Sequence, residues 1–125
     1  MTPTDSDAGT YVAAIVACYL ELPETPMSAT LQDHRQARRW HEQSVPLNLA
    51  ESALLLASLR RLIRPADLPP LSPIRSLAYF QPVVDELRVH PMPAQYVDYL
   101  RLKLNRIAAA SAPAQVQKTT SSDDR

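Results

Sequence analysis

One glycine against twelve prolines is the feature that most restricts what this 125-residue chain can fold into. Tight β-hairpins need residues that tolerate positive φ, and phosphate-cradling loops need glycine for close backbone approach; a chain with Gly9 alone can supply neither. Proline is excluded from helix interiors and central strands but fits helix starts and connectors. No stretch alternates apolar and polar residues with period two. Five segments instead repeat apolar residues at spacings of three and four, the signature of amphipathic helices. The expected fold is all-α: a compact bundle of about five helices with Pro-rich connectors and disordered termini.

The expected boundaries are a disordered N-terminus over 1–9, a helical domain over 10–110 and a disordered tail over 111–125, which lacks periodicity. The first helix is expected over 10–22, with Thr10 as N-cap and an inner face of Val12, Ile15, Val16, Tyr19 and Leu20. The second starts at a Thr30–Asp33 capping box, turns Leu31, Ala37, Trp40 and His41 inward, and leaves Asp33 and the arginines in water. The third reads as capped by Asn48 with Glu51, and is so densely apolar from Ala50 to Ile63 that it belongs at the centre. Residues 65–73 form a stiff connector, pinned by Leu68 and Leu71. A fourth helix is expected from Ser72 and Pro73, with Ile74, Leu77, Ala78, Val84 and Leu87 inward and a kink at Pro82. The fifth, over 94–110, carries the narrow seam Val97, Leu100, Leu104 and Ile107.

Chemistry is restricted by what is missing. Cys18 lies in an apolar run with no basic neighbour, as a buried thiol would, and cannot form an internal disulfide. His34 and His41 are two helical turns apart, roughly 10 Å, too far for one zinc ion. No nucleophile-elbow or zinc-protease motif occurs. Asp85 and Glu86 diverge by about 100° on a helix and do not form an acid–base pair. The expectation is a non-enzyme with no catalytic residues, no metal and no cofactor. The longest apolar run, Tyr11 to Leu20, is about half a membrane span, and the acidic N-terminus does not resemble a signal peptide. A soluble, cytoplasmic protein is expected.

Overall charge is balanced, with thirteen basic and thirteen acidic residues, yet ten of the eleven arginines fall between 35 and 106. They cluster as Arg35, Arg38 and Arg39; as Arg60, Arg61 and Arg64 with Arg75; and as Arg101 and Arg106 with Lys103. Arginine's planar fork suits phosphate. If these clusters share one face they make a DNA-binding patch; scattered around an apolar patch, they favour a protein partner.

The stretch Val45-Pro-Leu47, Glu51-Ser-Ala-Leu-Leu-Leu56, Pro73-Ile-Arg-Ser-Leu-Ala-Tyr-Phe80 and Val84-Asp-Glu-Leu87 resembles small helical domains of bacterial replication and mobile-element proteins, the DnaD-like primosomal type among them. It covers residues 20–104, with Ser44 where those domains carry Gly before the Val-Pro-Leu turn. The resemblance implies a non-catalytic, DNA-associated accessory role beside a replication or mobile-element protein, with Arg75, Tyr79 and Phe80 as residues of interest. The alternative from the residues themselves is a protein–protein adaptor that docks a partner on Tyr79, Phe80, Val97, Leu100 and Leu104.

Overall fold

The densest apolar stretch becomes the centre of the molecule. In the computed structural model, which describes residues 3–93 and 95–111, the described residues form five α-helices and no strand: α1 (Pro3–Glu21), α2 (Leu31–Glu42), α3 (Leu47–Leu62), α4 (Gln81–Val89) and α5 (Tyr96–Ser111), with a 3-10 turn (Leu77–Phe80) leading into α4. α3 packs against α1, α4 and α5 at once. It buries eight residues, Ser52 and Ser58 among them. One continuous core runs from Tyr11 to Leu104 and takes in every helix. The all-α reading therefore holds, with α3 at its centre.

α1 and α2 run antiparallel. Tyr11 meets His41 edge-on at 5.1 Å between ring centroids, and a turn or two along, Tyr19 lies within electrostatic reach of Asp33. α5 runs alongside α3 in the same direction and meets the C-terminal end of α1: Arg101 lies within electrostatic reach of Cys18 and Glu51, and Leu104 shares a crevice with Leu22 and Leu55.

Several local expectations are corrected. α1 starts at Pro3, not Thr10, and already buries Ala8; residues 1 and 2 of the expected N-terminal arm lie outside the described residues. Proline suits a first helical position, and Gly9 is tolerated inside the helix. The Thr30–Asp33 capping box forms as expected. Asp33, however, is only 1% exposed, while Leu31 faces out. One Asp33 carboxylate oxygen accepts the Thr30 N–H at 2.9 Å, and the other accepts the Leu77 N–H, also at 2.9 Å. α3 does not use Asn48 and Glu51 as a cap. It starts at Leu47 behind Pro46, whose carbonyl accepts the Ala50 N–H at 3.0 Å.

No helix begins at Ser72 and Pro73. The Ile74 N–H donates to the Glu24 carbonyl at 3.0 Å and holds this stretch extended against the α1–α2 loop. Leu68 and Leu71 stay largely exposed and do not pin the connector to the body. With the Leu77 N–H given to Asp33, the chain winds first as the 3-10 turn. α4 follows with Pro82 in its first turn, so two short helices meet where a kinked one was expected. Ala78 faces outward. Residues 112–125, most of the expected tail, lie outside the described residues.

Among the described residues, two that are not glycine take positive φ: Glu24 at 67° and Ser44 at 62°. A left-handed conformation costs an L-residue about 1–2 kcal/mol. Ser44 sits just before Val45-Pro46, and among the described residues its side chain has no hydrogen-bond partner that would offset the strain. Ser44→Gly should therefore raise stability by about 1 kcal/mol, read as a higher midpoint in urea with an unchanged slope.

Candidate functional site

The C-terminal half of α3 has one flank that the core does not cover. There Ala57, Ile63, Leu71, Pro82 and Val83 line a largely apolar groove of about 570 Å³, between α3, the connector and the start of α4. Ile63 caps α3 and stays 57% exposed, because the helix ends before its side chain can turn inward. Tyr79, brought by the 3-10 turn, forms one wall, its ring edge-on to the buried Phe80 at 5.2 Å.

Three arginines rim this groove, and two are committed. Arg60 makes a two-pronged pair with Glu86 on α4, at 2.9 and 2.7 Å. That pairing raises the pKa of Arg60 and holds the Glu86 carboxyl below its usual range. Arg61 is a clasp. Its Nε donates to Glu24 at 2.9 Å, its other nitrogens reach the Tyr79 hydroxyl at 3.1 Å and the Ser72 carbonyl at 2.8 Å, and its guanidinium lies over the Tyr79 ring. Only 7% of its side chain is exposed. Burial works against its charge, but the bonds to Tyr79 and Glu24 outweigh that and raise its pKa. Among the described residues the Arg64 guanidinium reaches only the Pro69 carbonyl, at 3.2 Å.

The other expected cations do not join this face. Arg35 and Arg38 line a separate furrow between α1 and α2. Arg39 is exposed and donates to Gln36 at 3.2 Å. Arg75 is exposed on the extended stretch before the 3-10 turn, and Arg106 is exposed on α5 with Lys103 half-buried. Arg101 reaches into the crevice between α1, α3 and α5. Six of the ten cations thus divide among three separate depressions. The expected docking seam is also corrected: Val97, Leu100 and Leu104, like Phe80, are core residues. Of that set only Tyr79 reaches the surface. The period of α5 showed which face is apolar; α3, packed along that face, decided that it is covered.

Burial pushes the Cys18 thiol up to about 12, with Arg101 opposing, so it is a protonated thiol at neutral pH. Among the described residues no three His, Cys, Asp or Glu side chains come together to hold a metal ion, and no helix is long and apolar enough to cross a membrane. Ile63, Leu71, Pro82 and Val83 were missed as site residues. Only Ile63 left a signal, as an apolar residue at the frayed end of an otherwise buried stripe.

Comparison of the chain with protein-family models, curated proteins and solved structures finds no match in any of the three. The resemblance of residues 20–104 to DnaD-like helical domains gains no support from them.

Proposed function

We propose that this protein is a non-catalytic helical adaptor that receives an apolar peptide segment of a partner protein in the groove beside α3. The observation that carries the reading is the convergence of Ile63, Leu71, Tyr79 and Val83 on one concave surface whose main cations, Arg60 and Arg61, are already neutralised by Glu86 and Glu24. Such a surface offers apolar anchoring sites and little free charge, unlike a phosphate-binding face. Arg64 is the rim cation without a carboxylate, so the fitting segment has apolar anchors and one acid. Peptides selected from a displayed library against the wild-type protein should share that pattern and should bind Ile63→Glu about tenfold more weakly or worse, a loss of roughly 1.4 kcal/mol or more. Ile63 is exposed, so its replacement should leave the unfolding midpoint nearly unchanged. Selected peptides that bind Ile63→Glu equally well would sink the proposal.

The DNA-associated reading retains one specific observation, the exposed arginines Arg35, Arg38 and Arg39 on α2. Fluorescence anisotropy of labelled single- and double-stranded DNA at low and moderate salt separates the two readings. Micromolar binding with a steep salt dependence would favour phosphate contacts; the adaptor reading expects none.

A further inference from the structure

The one glycine of the chain occupies a place where the fold has no use for it. Gly9 lies in the interior of α1, its φ is not positive, and a Cβ built there would meet nothing within 4 Å. Glycine is the poorest helix former after proline, and no close contact within the described structure compensates for it. It does leave a smooth floor. Gly9, Val12 and Ala13 form one stripe of α1 at spacings of three and four, and Leu31, Arg35 and Arg38 form the facing stripe of α2, with a furrow of about 350 Å³ between them. The floor is apolar, and Leu31 is 64% exposed at its edge.

The α2 edge is cationic. Arg35 and Arg38 are one turn apart, and neither has a carboxylate partner among the described residues. His34, between them and the helix start, donates its Nδ1–H to the Thr30 carbonyl at 3.0 Å. Among the described residues no acidic side chain lines the furrow.

We propose that this furrow seats an amphipathic helix of a partner protein, with small and apolar residues on the face against Gly9 and Val12 and carboxylates one turn apart along the edge that meets Arg35 and Arg38. The shape argues for a helix: the space between two antiparallel helices takes a third one ridge-into-groove, and glycine lets its backbone approach closely. The charge argues for acids, since two unpaired guanidiniums at helical spacing match two carboxylates at helical spacing. A phosphate backbone would use the arginines but not the apolar floor, and a flat membrane would not enter a concave furrow. This site is separate from the groove beside α3 and shares no residue with it.

The test uses the full chain and a fluorescent helical peptide of about five turns, with a Leu/Ala face and a Glu-lined edge. A control peptide carries Lys in place of Glu. The Glu peptide should bind saturably and more weakly as salt rises, and the Lys peptide should not bind. A Cβ at Gly9 meets nothing within 4 Å, so Gly9→Leu adds bulk to the stripe that lines the furrow and should weaken binding about tenfold or more while the unfolding midpoint stays level or rises. Arg35→Glu with Arg38→Glu should do the same. Ile63→Glu should leave this binding unchanged, which separates it from the α3 groove. The proposal is overturned if the wild-type protein fails to bind the Glu peptide, if Gly9→Leu binds it equally well, or if the Lys peptide binds as tightly. Tighter binding of duplex DNA or anionic vesicles through Arg35 and Arg38, indifferent to Gly9→Leu, would equally overturn it.

Discussion

Replacing Trp40 by alanine should cost about 3–5 kcal/mol of folding stability, the range for emptying a buried aromatic site. Trp40 on α2 is fully buried, and its ring fills the junction between α2 and the core. Its indole Nε1–H donates to the Gln81 side-chain oxygen at 2.8 Å. Gln36 reaches the same oxygen at 3.3 Å, and the Gln81 amide donates onward to Asp85 at 2.9 Å. The chain of bonds joins α2 to the start of α4, so the substitution removes both apolar volume and a tie between elements 41 residues apart. Trp40→Phe separates the two contributions: it keeps most of the ring but not the donor, and should cost about 1–2 kcal/mol, mainly for the lost hydrogen bond. Urea titration followed by far-UV circular dichroism would measure both. A loss below about 1 kcal/mol for Trp40→Ala would show that α2 is only loosely joined to the core.

Asp33→Ala should be comparably damaging, at about 3 kcal/mol or more. The carboxylate accepts two backbone N–H groups, from Thr30 and Leu77, each at 2.9 Å. Hydrogen bonds to a charged acceptor contribute roughly 1.5–3 kcal/mol each, and the Leu77 bond is buried, so its donor would be left without a partner. Asp33→Asn retains one oxygen and should fall between wild type and alanine. The variants also report on the site. Leu77 opens the 3-10 turn that carries Tyr79 to the groove wall, so loosening the turn should raise hydrogen exchange at Leu77 to Phe80 before the rest of the core is affected. Uniform exchange across the chain in Asp33→Ala would show that this bond stabilises the fold as a whole and does not specifically position the turn.

Periodicity and proline placement were enough to assign the helices, because both act within a few residues along the chain. The dense stripe from Ala50 to Leu59 can be buried only at the centre of a bundle, and α3 is there. The Thr30–Asp33 box likewise closes within one turn. What the sequence by itself could not determine was which backbone donors would be claimed by partners far away. Asn48 and Glu51 have the pattern of a cap, but Pro46 already supplied the start of α3. Ser72 and Pro73 have the pattern of a helix start, but Glu24 claims the Ile74 N–H and Asp33 claims the Leu77 N–H. Asp33 reads as a solvated acid until the 3-10 turn arrives above it. The arginines show the same division. Their number and spacing were visible in the chain, whereas the pairing of Arg60 with Glu86, 26 residues away, and of Arg61 with Glu24, 37 residues away, required the folded structure. Local propensity determined the elements. Long-range hydrogen bonds and ion pairs, made only once those elements meet, decided where the helices begin, which apolar faces are covered and which cations remain free.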